Sequence, residues 1–234
     1  MKFRSQIYDA LKYTLRDWKP IILLGLILYI LSVLNNVNEV ETIIGIAVLI
    51  LTIALLFLEE GYRYQIIKET IKGNNNPPSF ENLKKLIIEG FLESFTISVY
   101  LTATYIFISS ANKIELISHV QYIHWFILVI ISMAIYFLSF GAVINKALHD
   151  DKFISAFNLI EIGRLYLKIG LKRTILLIII GTVSINFIIT SVIELGIYDF
   201  AQYLDFIINF IVNPILILFL TRLSGLIGKE VTYG

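Results

Sequence analysis

Long apolar runs, separated by short polar segments, dominate the hydrophobic pattern of this chain. The runs that are long enough to be considered as membrane spans are residues 20–34, 42–58, 91–109, 125–144, 174–193 and 206–220. A helix needs about 20 residues to cross a hydrocarbon layer of about 30 Å, so the first run is short. Its helix either takes in flanking residues or enters the membrane without crossing it. The pattern predicts an all-α, polytopic membrane protein with six transmembrane helices in three antiparallel pairs.

The polar segments before the first, third and fifth runs have a helical period of their own. At the N-terminus, the apolar positions three or four residues apart are Phe3, Ile7, Leu11, Leu15 and Trp18. Before the third run, they are Phe80, Leu83, Ile87 and Phe91. Before the fifth run, the periodic positions are polar: Asn158, Glu161, Arg164, Lys168 and Lys172. We therefore predict an interfacial amphipathic helix before spans 1, 3 and 5.

These surface helices have two interpretations. Their basic sides favour the anionic headgroups of the inner leaflet, so each helix can anchor the span that follows it. The same surfaces can instead recruit a protein partner. Ser79 is the expected N-cap of the second helix. Asp150 or Asp151 is the expected cap of a helix that begins near Lys152.

The positions of the charged residues indicate which loops share a side of the membrane. Eighteen of the 19 Lys and Arg residues lie before run one, between runs two and three, between runs four and five, or after run six. The alternate loops contain only Lys113 and carry acidic residues instead. Loops rich in Lys and Arg stay on the cytoplasmic side. We therefore predict a multi-pass protein of the cell (plasma) membrane with both termini in the cytoplasm.

The composition agrees with a membrane protein and removes several other classes. Hydrophobic residues make up 57% of the 234-residue chain and charged residues 16%. Roughly a quarter of the residues in a soluble domain are charged. The net charge of +1 gives no reason to expect a nucleic-acid partner. Because the chain has no Cys, it has no disulfide, thiolate nucleophile or Cys-bound metal.

Glycine positions indicate an internal repeat within a single integral membrane domain, residues 1–234. Gly61 and Gly90 flank the polar segment between runs two and three, and Gly141 and Gly170 flank the segment between runs four and five. Both pairs are 29 residues apart. Repeats of this kind are common in transporter folds. The predicted units, each a surface helix followed by an antiparallel helix pair, are 1–61, 79–141 and 153–225.

The segment between runs two and three resembles a known family. The chain leaves run two through Gly61-Tyr62, reads G-x-x-x-P-P-S-F from Gly73, and continues as a basic amphipathic stretch to Gly90. The sequence ALHDDKFISAFN after run four fits the same pattern. These features resemble the prokaryotic, mainly archaeal, membrane protein family called domain of unknown function 4013, over roughly residues 5–225. The resemblance implies several membrane helices and supplies no activity, cofactor or catalytic residue.

One motif raises the question of an intramembrane hydrolase. Glu59, Glu60 and Arg63 are similar to the Glu-Glu and Arg of prenyl-endopeptidase-like intramembrane proteases, in which three residues separate the second Glu from the Arg. Here two residues intervene, so Arg63 lies about 100° from that position around the helix. Those enzymes also use His residues on neighbouring spans, whereas the three His residues of this chain lie in predicted loops. We therefore predict no enzymatic activity.

His149, Asp150 and Asp151 are the remaining candidates for a metal site. Adjacent residues do not converge easily on one ion, and zinc sites need three or four ligands. The sequence also contains no Gly-rich phosphate loop and no G-x-S-x-G elbow. We therefore expect no metal and no cofactor.

Polar residues inside the apolar runs are the candidate functional residues. Those at helical spacing on the third, fifth and sixth runs are Glu93, Thr96, Tyr100, Asn186, Thr190, Asn209 and Asn213. They line either a polar path or a headgroup cavity, with Glu93 as its cytoplasmic acid. Alternatively, they bond neighbouring helices together, at about 0.6 kcal/mol for each bond. Glu93 could also extend to the inner interface.

Two classes of function follow from these patterns. The first is a non-enzymatic transporter, channel or lipid-handling protein that uses the polar positions of spans 3, 5 and 6. The second is a membrane scaffold that recruits partners through its cytoplasmic amphipathic helices. A cavity lined by the polar positions would favour the first class, and a filled interior with an exposed apolar groove would favour the second.

Overall fold

The structure is a computed structural model that describes residues 3–35, 43–113, 121–181 and 206–233. The helices of this part of the chain are α1 (Phe3–Thr14), α2 (Trp18–Asn35), α3 (Ile43–Ile71), α4 (Leu83–Lys113), α5 (Gln121–Leu148), α6 (Leu159–Ile169), α7 (171–181) and α8 (Asn213–Tyr233). A 3-10 turn, Phe153–Phe157, precedes α6, and a π-helical turn, Ile208–Val212, precedes α8. The prediction of an all-α protein is confirmed for these residues.

Three helices are long and apolar enough to cross a membrane, which indicates a membrane protein. The candidate spans are Ile44–Ile71, Leu83–Ile106 and Ile208–Val231. Together, α1 and α2 make a fourth candidate that is bent by 79° between them. In α5 the described apolar part is the shorter stretch Phe137–Leu148. The predicted fifth run extends beyond residue 181, outside the described residues, so the prediction of six spans in three pairs is not confirmed.

The segment before the predicted third span is not a separate surface helix. It forms the first turns of α4, which continues without a break from Leu83 through Phe91. The Asn82 Oδ1 atom accepts a hydrogen bond from the Lys85 amide at 3.1 Å. Asn82 therefore caps this helix, and the prediction that Ser79 caps it was wrong. The apolar spacing was real, but nothing in the sequence stops the helix before the membrane-spanning part begins.

The N-terminal segment is a separate helix, and part of its predicted apolar stripe is exposed. The residues of α1 that are buried are Gln6, Ala10, Tyr13 and Thr14. Leu11 and Leu15, from the predicted apolar stripe, are 43% and 54% exposed. In a membrane protein an apolar side chain is stable against lipid as well as against protein. Phe3 and Ile7, from the same stripe, are partly buried and pack against the core. The interfacial helix with its apolar stripe toward lipid stays a prediction.

The buried guanidinium of Arg222 holds three separate segments together at one end of the bundle. Arg222 is only 2% exposed. The acceptors of its hydrogen bonds, at 2.6–3.1 Å, are Asp9 Oδ1, Thr70 Oγ1, the Asn74 carbonyl oxygen and Asn75 Oδ1. The guanidinium also lies 4.4 Å from the centroid of the Tyr13 ring. These contacts connect α8 with α1, with the end of α3 and with the loop that follows α3.

Other polar contacts bring further basic segments to the same end. Glu230, near the end of α8, accepts hydrogen bonds from Gln6 Nε2 and from Arg173 Nη1, both at 2.8 Å. Lys68 of α3 pairs with Asp151 in the turn after α5. The N-terminal helix, the loop after α3, the segment between α5 and α7, and the C-terminal helix therefore meet at one end of the molecule.

The closest helix contact joins α3 and α4 through two glycines. A Cβ atom built on Gly61 would lie 1.9 Å from the Leu86 carbonyl oxygen, and one built on Gly90 would lie 1.7 Å from the Phe57 carbonyl oxygen. The two backbones therefore touch where these helices pack. Gly141 differs, because a Cβ there would meet the Tyr166 hydroxyl at 2.7 Å. The internal repeat stays a prediction.

Replacing Gly61 by Ala is expected to destabilise the protein, because the added methyl group forces α3 and α4 apart. Overpacking of this kind costs about 1–3 kcal/mol of unfolding free energy. Gly163→Ala is the matched control, since a Cβ at that exposed helical position meets nothing within 4 Å. Thermal unfolding of the detergent-solubilised variants measures both effects. An unchanged midpoint for Gly61→Ala would contradict the backbone contact.

Candidate functional site

A cavity of about 380 Å³ lies between α3, α4, α5, α7 and α8. All the charged residues that line it come from α3 and α4: Glu59, Glu60, Arg63 and Glu93. The opposite walls, from α5, α7 and α8, are mainly apolar and include Phe140, Leu177 and Leu220. The volume lies within the range of about 300–1,000 Å³ that is usual for small-molecule sites. The cavity has one charged wall and one apolar wall.

On the α3 part of the charged wall, one guanidinium faces two carboxylates. Arg63 Nη1 donates to Glu60 Oε1 at 2.6 Å and lies 3.7 Å from Glu59 Oε1. Glu59 is 8% exposed, whereas the Arg63 side chain is 32% exposed. These positions three and four residues apart share one face of the helix. The sequence singled out this motif only as part of a protease pattern, and its place in a cavity became visible only in the fold.

On the α4 part of the charged wall, Glu93 forms a buried ion pair with Lys146 of α5. The side chains of Glu93 and Lys146 are 2% and 1% exposed, and Lys146 Nζ donates to Glu93 Oε1. The ammonium also lies 4.4 Å from the centroid of the Tyr64 ring. Sequence reasoning selected Glu93 but missed Lys146. The sequence feature that could have identified Lys146 is its place in the last turn of a largely apolar helix, where ionisable residues are costly and usually paired.

The other two predicted residues of α4 are buried beside Glu93 but bond elsewhere. Thr96 Oγ1 donates to the Leu92 carbonyl oxygen at 2.9 Å, within its own helix. The Tyr100 hydroxyl donates to the Ala156 carbonyl oxygen at 2.7 Å and so attaches the 3-10 turn to α4. Of the three predicted residues on this helix, the structure places Glu93 in the lining of the cavity.

The predicted pair on the last run is also buried, at a different contact. Asn209 and Asn213 are both 0% exposed, and Asn213 Nδ2 donates to Asn209 Oδ1 at 2.7 Å. Pro214 has no amide to bond the Phe210 carbonyl, and the chain forms a π-helical turn just before it. A Cβ atom at Gly25 of α2 would lie 2.2 Å from that Phe210 oxygen. These two amides therefore lie where α8 packs against α2 and are not part of the cavity lining.

Asn186 and Thr190 lie outside the described residues. The structure describes the other five predicted residues, and they do not all line this cavity. It places Glu93 in the cavity, and Thr96, Tyr100, Asn209 and Asn213 at buried helix contacts.

Asp151 has a different role from the predicted helix cap. The 3-10 turn begins after Lys152, which provides no side-chain cap, and Asn158 Oδ1 caps α6 by accepting from the Glu161 amide at 3.3 Å. Asp151 instead accepts hydrogen bonds from Tyr64 and Lys68. Partial burial would raise its pKa, but the hydrogen bonds from these two side chains outweigh burial and hold the pKa below its usual value. The prediction that Asp150 or Asp151 caps a helix was wrong. Both residues have positive φ angles in a left-handed turn, whereas an N-cap residue typically has an extended backbone.

Comparison of the chain with known protein families finds one match. The model of a family described as "protein of unknown function (DUF4013)" matches residues 43–198, which are 156 of the 234 residues. The match includes the charged wall of the cavity and Lys146, and it is narrower than the resemblance over residues 5–225. No curated protein and no solved structure matches the chain. Among the residues that the structure describes, no group of three His, Asp or Glu side chains could hold a metal ion.

The Lys146→Met variant is expected to lose about 3–5 kcal/mol of unfolding free energy, because it leaves the Glu93 carboxylate buried without its cation. The double variant Glu93→Gln/Lys146→Met should recover a large part of that loss, since neither charge then remains. Lys85→Met is the matched control, because this Lys side chain is 52% exposed and its ion pair contributes about 1 kcal/mol at most. Unfolding in mild detergent measures these three variants and Glu93→Gln alone, which completes the double-mutant cycle. Simple additivity of the Glu93→Gln and Lys146→Met losses would contradict the pairing.

Proposed function

The chain belongs to the DUF4013 family, and we propose that it binds a small amphiphilic molecule or lipid in the cavity between α3, α4, α5, α7 and α8. The observation that supports this proposal is the division of the lining into one charged and one apolar wall. A ligand with a polar group and an apolar body would satisfy both walls at once. The function is binding or transport without a covalent reaction.

We further propose that this ligand site belongs to a protein with six spans and cytoplasmic termini in the cell membrane. The meeting of all four basic segments at one end of the bundle supports this arrangement, since loops on the cytoplasmic side retain Lys and Arg. The outer face of α6 agrees with a position on the inner leaflet. Its apolar residues Ile160 and Leu167 are 69% and 83% exposed, and the basic residues Arg164 and Lys168 follow beside them. Such a face fits lipid tails and anionic headgroups.

The exposed apolar residues of α6 also favour a second candidate function, a scaffold that recruits a protein partner. Leu171 at the start of α7 extends this surface and is 76% exposed. In this case the same side chains would contact a partner protein, and the cavity would carry no ligand. The two functions differ in what remains bound when the protein is extracted gently.

Native mass spectrometry of the gently extracted protein is expected to detect a bound small molecule or lipid at a fixed stoichiometry. Leu220→Trp should lower its occupancy about tenfold or more, because the added ring fills part of the lining and overpacking costs about 1–3 kcal/mol. Ile50→Trp is the matched control, since Ile50 is 63% exposed on α3 and lies outside the cavity. A protein that is empty of ligand but retains a partner protein would favour the scaffold. Equal occupancy in Leu220→Trp would place the ligand elsewhere.

The proposed orientation predicts that a position just before α4 and the last residue of α4 are accessible from opposite sides of the membrane. Because the chain has no Cys, a single introduced Cys reports on one position. In intact cells a membrane-impermeant maleimide should label Lys113→Cys, and it should label Ser79→Cys only after the membrane is permeabilised. Labelling of both positions on the same side would contradict α4 as a span, and the reverse pattern would invert the orientation.

A further inference from the structure

We propose that the cavity selects an amphiphile with a cationic headgroup, such as an alkyl ammonium ion; this inference rests on the proposed binding function. The lining contains three carboxylates, Glu59, Glu60 and Glu93, and one cation, Arg63. Lys146 compensates Glu93 from α5 but is not itself part of the lining. The wall that faces a ligand therefore contains three carboxyl groups and one cation.

One carboxylate oxygen in this wall is left without a hydrogen-bond partner. Glu93 is 1% exposed, and its Oε1 atom accepts from Lys146, whereas Oε2 has no partner among the described residues. A buried charged acceptor without a donor costs about 1–3 kcal/mol or more. Glu93 borders the cavity, so a donor on a bound ligand is the group that could satisfy this oxygen.

Two hydroxyl groups on the opposite wall, those of Thr221 and Ser224, have no hydrogen left to donate to a ligand. Thr221 Oγ1 donates to the Ile217 carbonyl oxygen at 2.7 Å, and Ser224 Oγ donates to the Leu220 carbonyl oxygen at 2.6 Å. Because a hydroxyl has one hydrogen, each of these groups has only acceptor capacity left for the cavity. The carboxylates are acceptors as well. An ammonium group supplies a positive charge and N–H donors, which among the charged side chains of the lining Arg63 alone provides.

Arg63 is the group that such a ligand would replace. It belongs to the same helix as its acceptor Glu60, and about a third of its side chain is exposed. A long, flexible arginine at this position can extend toward the end of the bundle and leave the carboxylates to a ligand. An anionic amphiphile would face three carboxyl groups and a single cation, Arg63, which already pairs with Glu60, so it is expected to bind more weakly.

The test compares dodecylamine, dodecanol and dodecanoate, which share one chain length and differ in the charge of the headgroup. Each is titrated into the full-length protein in a mild detergent, and occupancy is measured by native mass spectrometry. We expect dodecylamine to bind about tenfold tighter than dodecanol or more, since a hydrogen bond to a charged group contributes about 1.5–3 kcal/mol. Dodecanoate should bind most weakly.

The variants locate this preference within the protein. Glu59→Gln and Glu93→Gln/Lys146→Met should each reduce the preference for dodecylamine several-fold, and the double variant avoids leaving Lys146 buried without a counter-ion. Glu81→Gln, an exposed residue outside the cavity, removes the same charge as Glu59→Gln and should leave the preference unchanged.

The possible failures can be told apart. Equal binding of dodecylamine and dodecanol, or tighter binding of dodecanoate, would overturn the charge preference while leaving the cavity as an amphiphile site. An unchanged preference in both cavity variants would also overturn it. If none of the three compounds binds, or if Leu220→Trp binds all three as well as the unmodified protein does, both the inference and the proposed binding function fail.

Discussion

A cation buried among apolar helices is stable only where protein groups replace the water that it has lost, and this requirement organises one end of the bundle. Arg222 and Lys146 are 2% and 1% exposed. Arg222 finds its acceptors on α1, at the end of α3 and in the loop after α3. Lys146 finds Glu93 on α4 and the Tyr64 ring on α3. Two side chains therefore connect five helices: α1, α3, α4, α5 and α8.

The cavity is a consequence of this arrangement. The glycine contact at Gly61 and Gly90 brings the backbones of α3 and α4 together, so the acidic residues of both helices contribute to one wall. The ion pair of Glu93 with Lys146 attaches α5 to that wall. The remaining surfaces of α5, α7 and α8 are mainly apolar and close the other side. Charge is thus concentrated on one wall, which is the property on which both proposals depend.

The cavity and the outer face of α6 are different kinds of surface, and they can serve different purposes in one molecule. The cavity combines buried carboxylates with apolar walls, which suits a small ligand. The face of α6 presents exposed apolar side chains beside Arg164 and Lys168. Attachment of that helix to the inner leaflet would hold one end of the bundle, where Arg222 lies, at the membrane surface.

Sequence alone determined the helical class, the membrane character and several residues that proved to be buried. Apolar runs of about 20 residues can satisfy their backbone polar groups in lipid only as helices, so the class followed directly. An acid within such a run had to be buried or paired, which selected Glu93. The glycines at 61 and 90 were visible as a spaced pair. Their contact with each other was not.

Only the tertiary structure decided which buried groups meet. Lys146 is 53 residues from Glu93 and Arg222 is 213 residues from Asp9, and periodicity carries no information about partners so far apart. The same limit explains the misassigned cap at Asp151, whose partners Tyr64 and Lys68 lie on α3. Local pattern fixes an element and its apolar residues, whereas the pairing of charges depends on distances that exist only after the helices have packed.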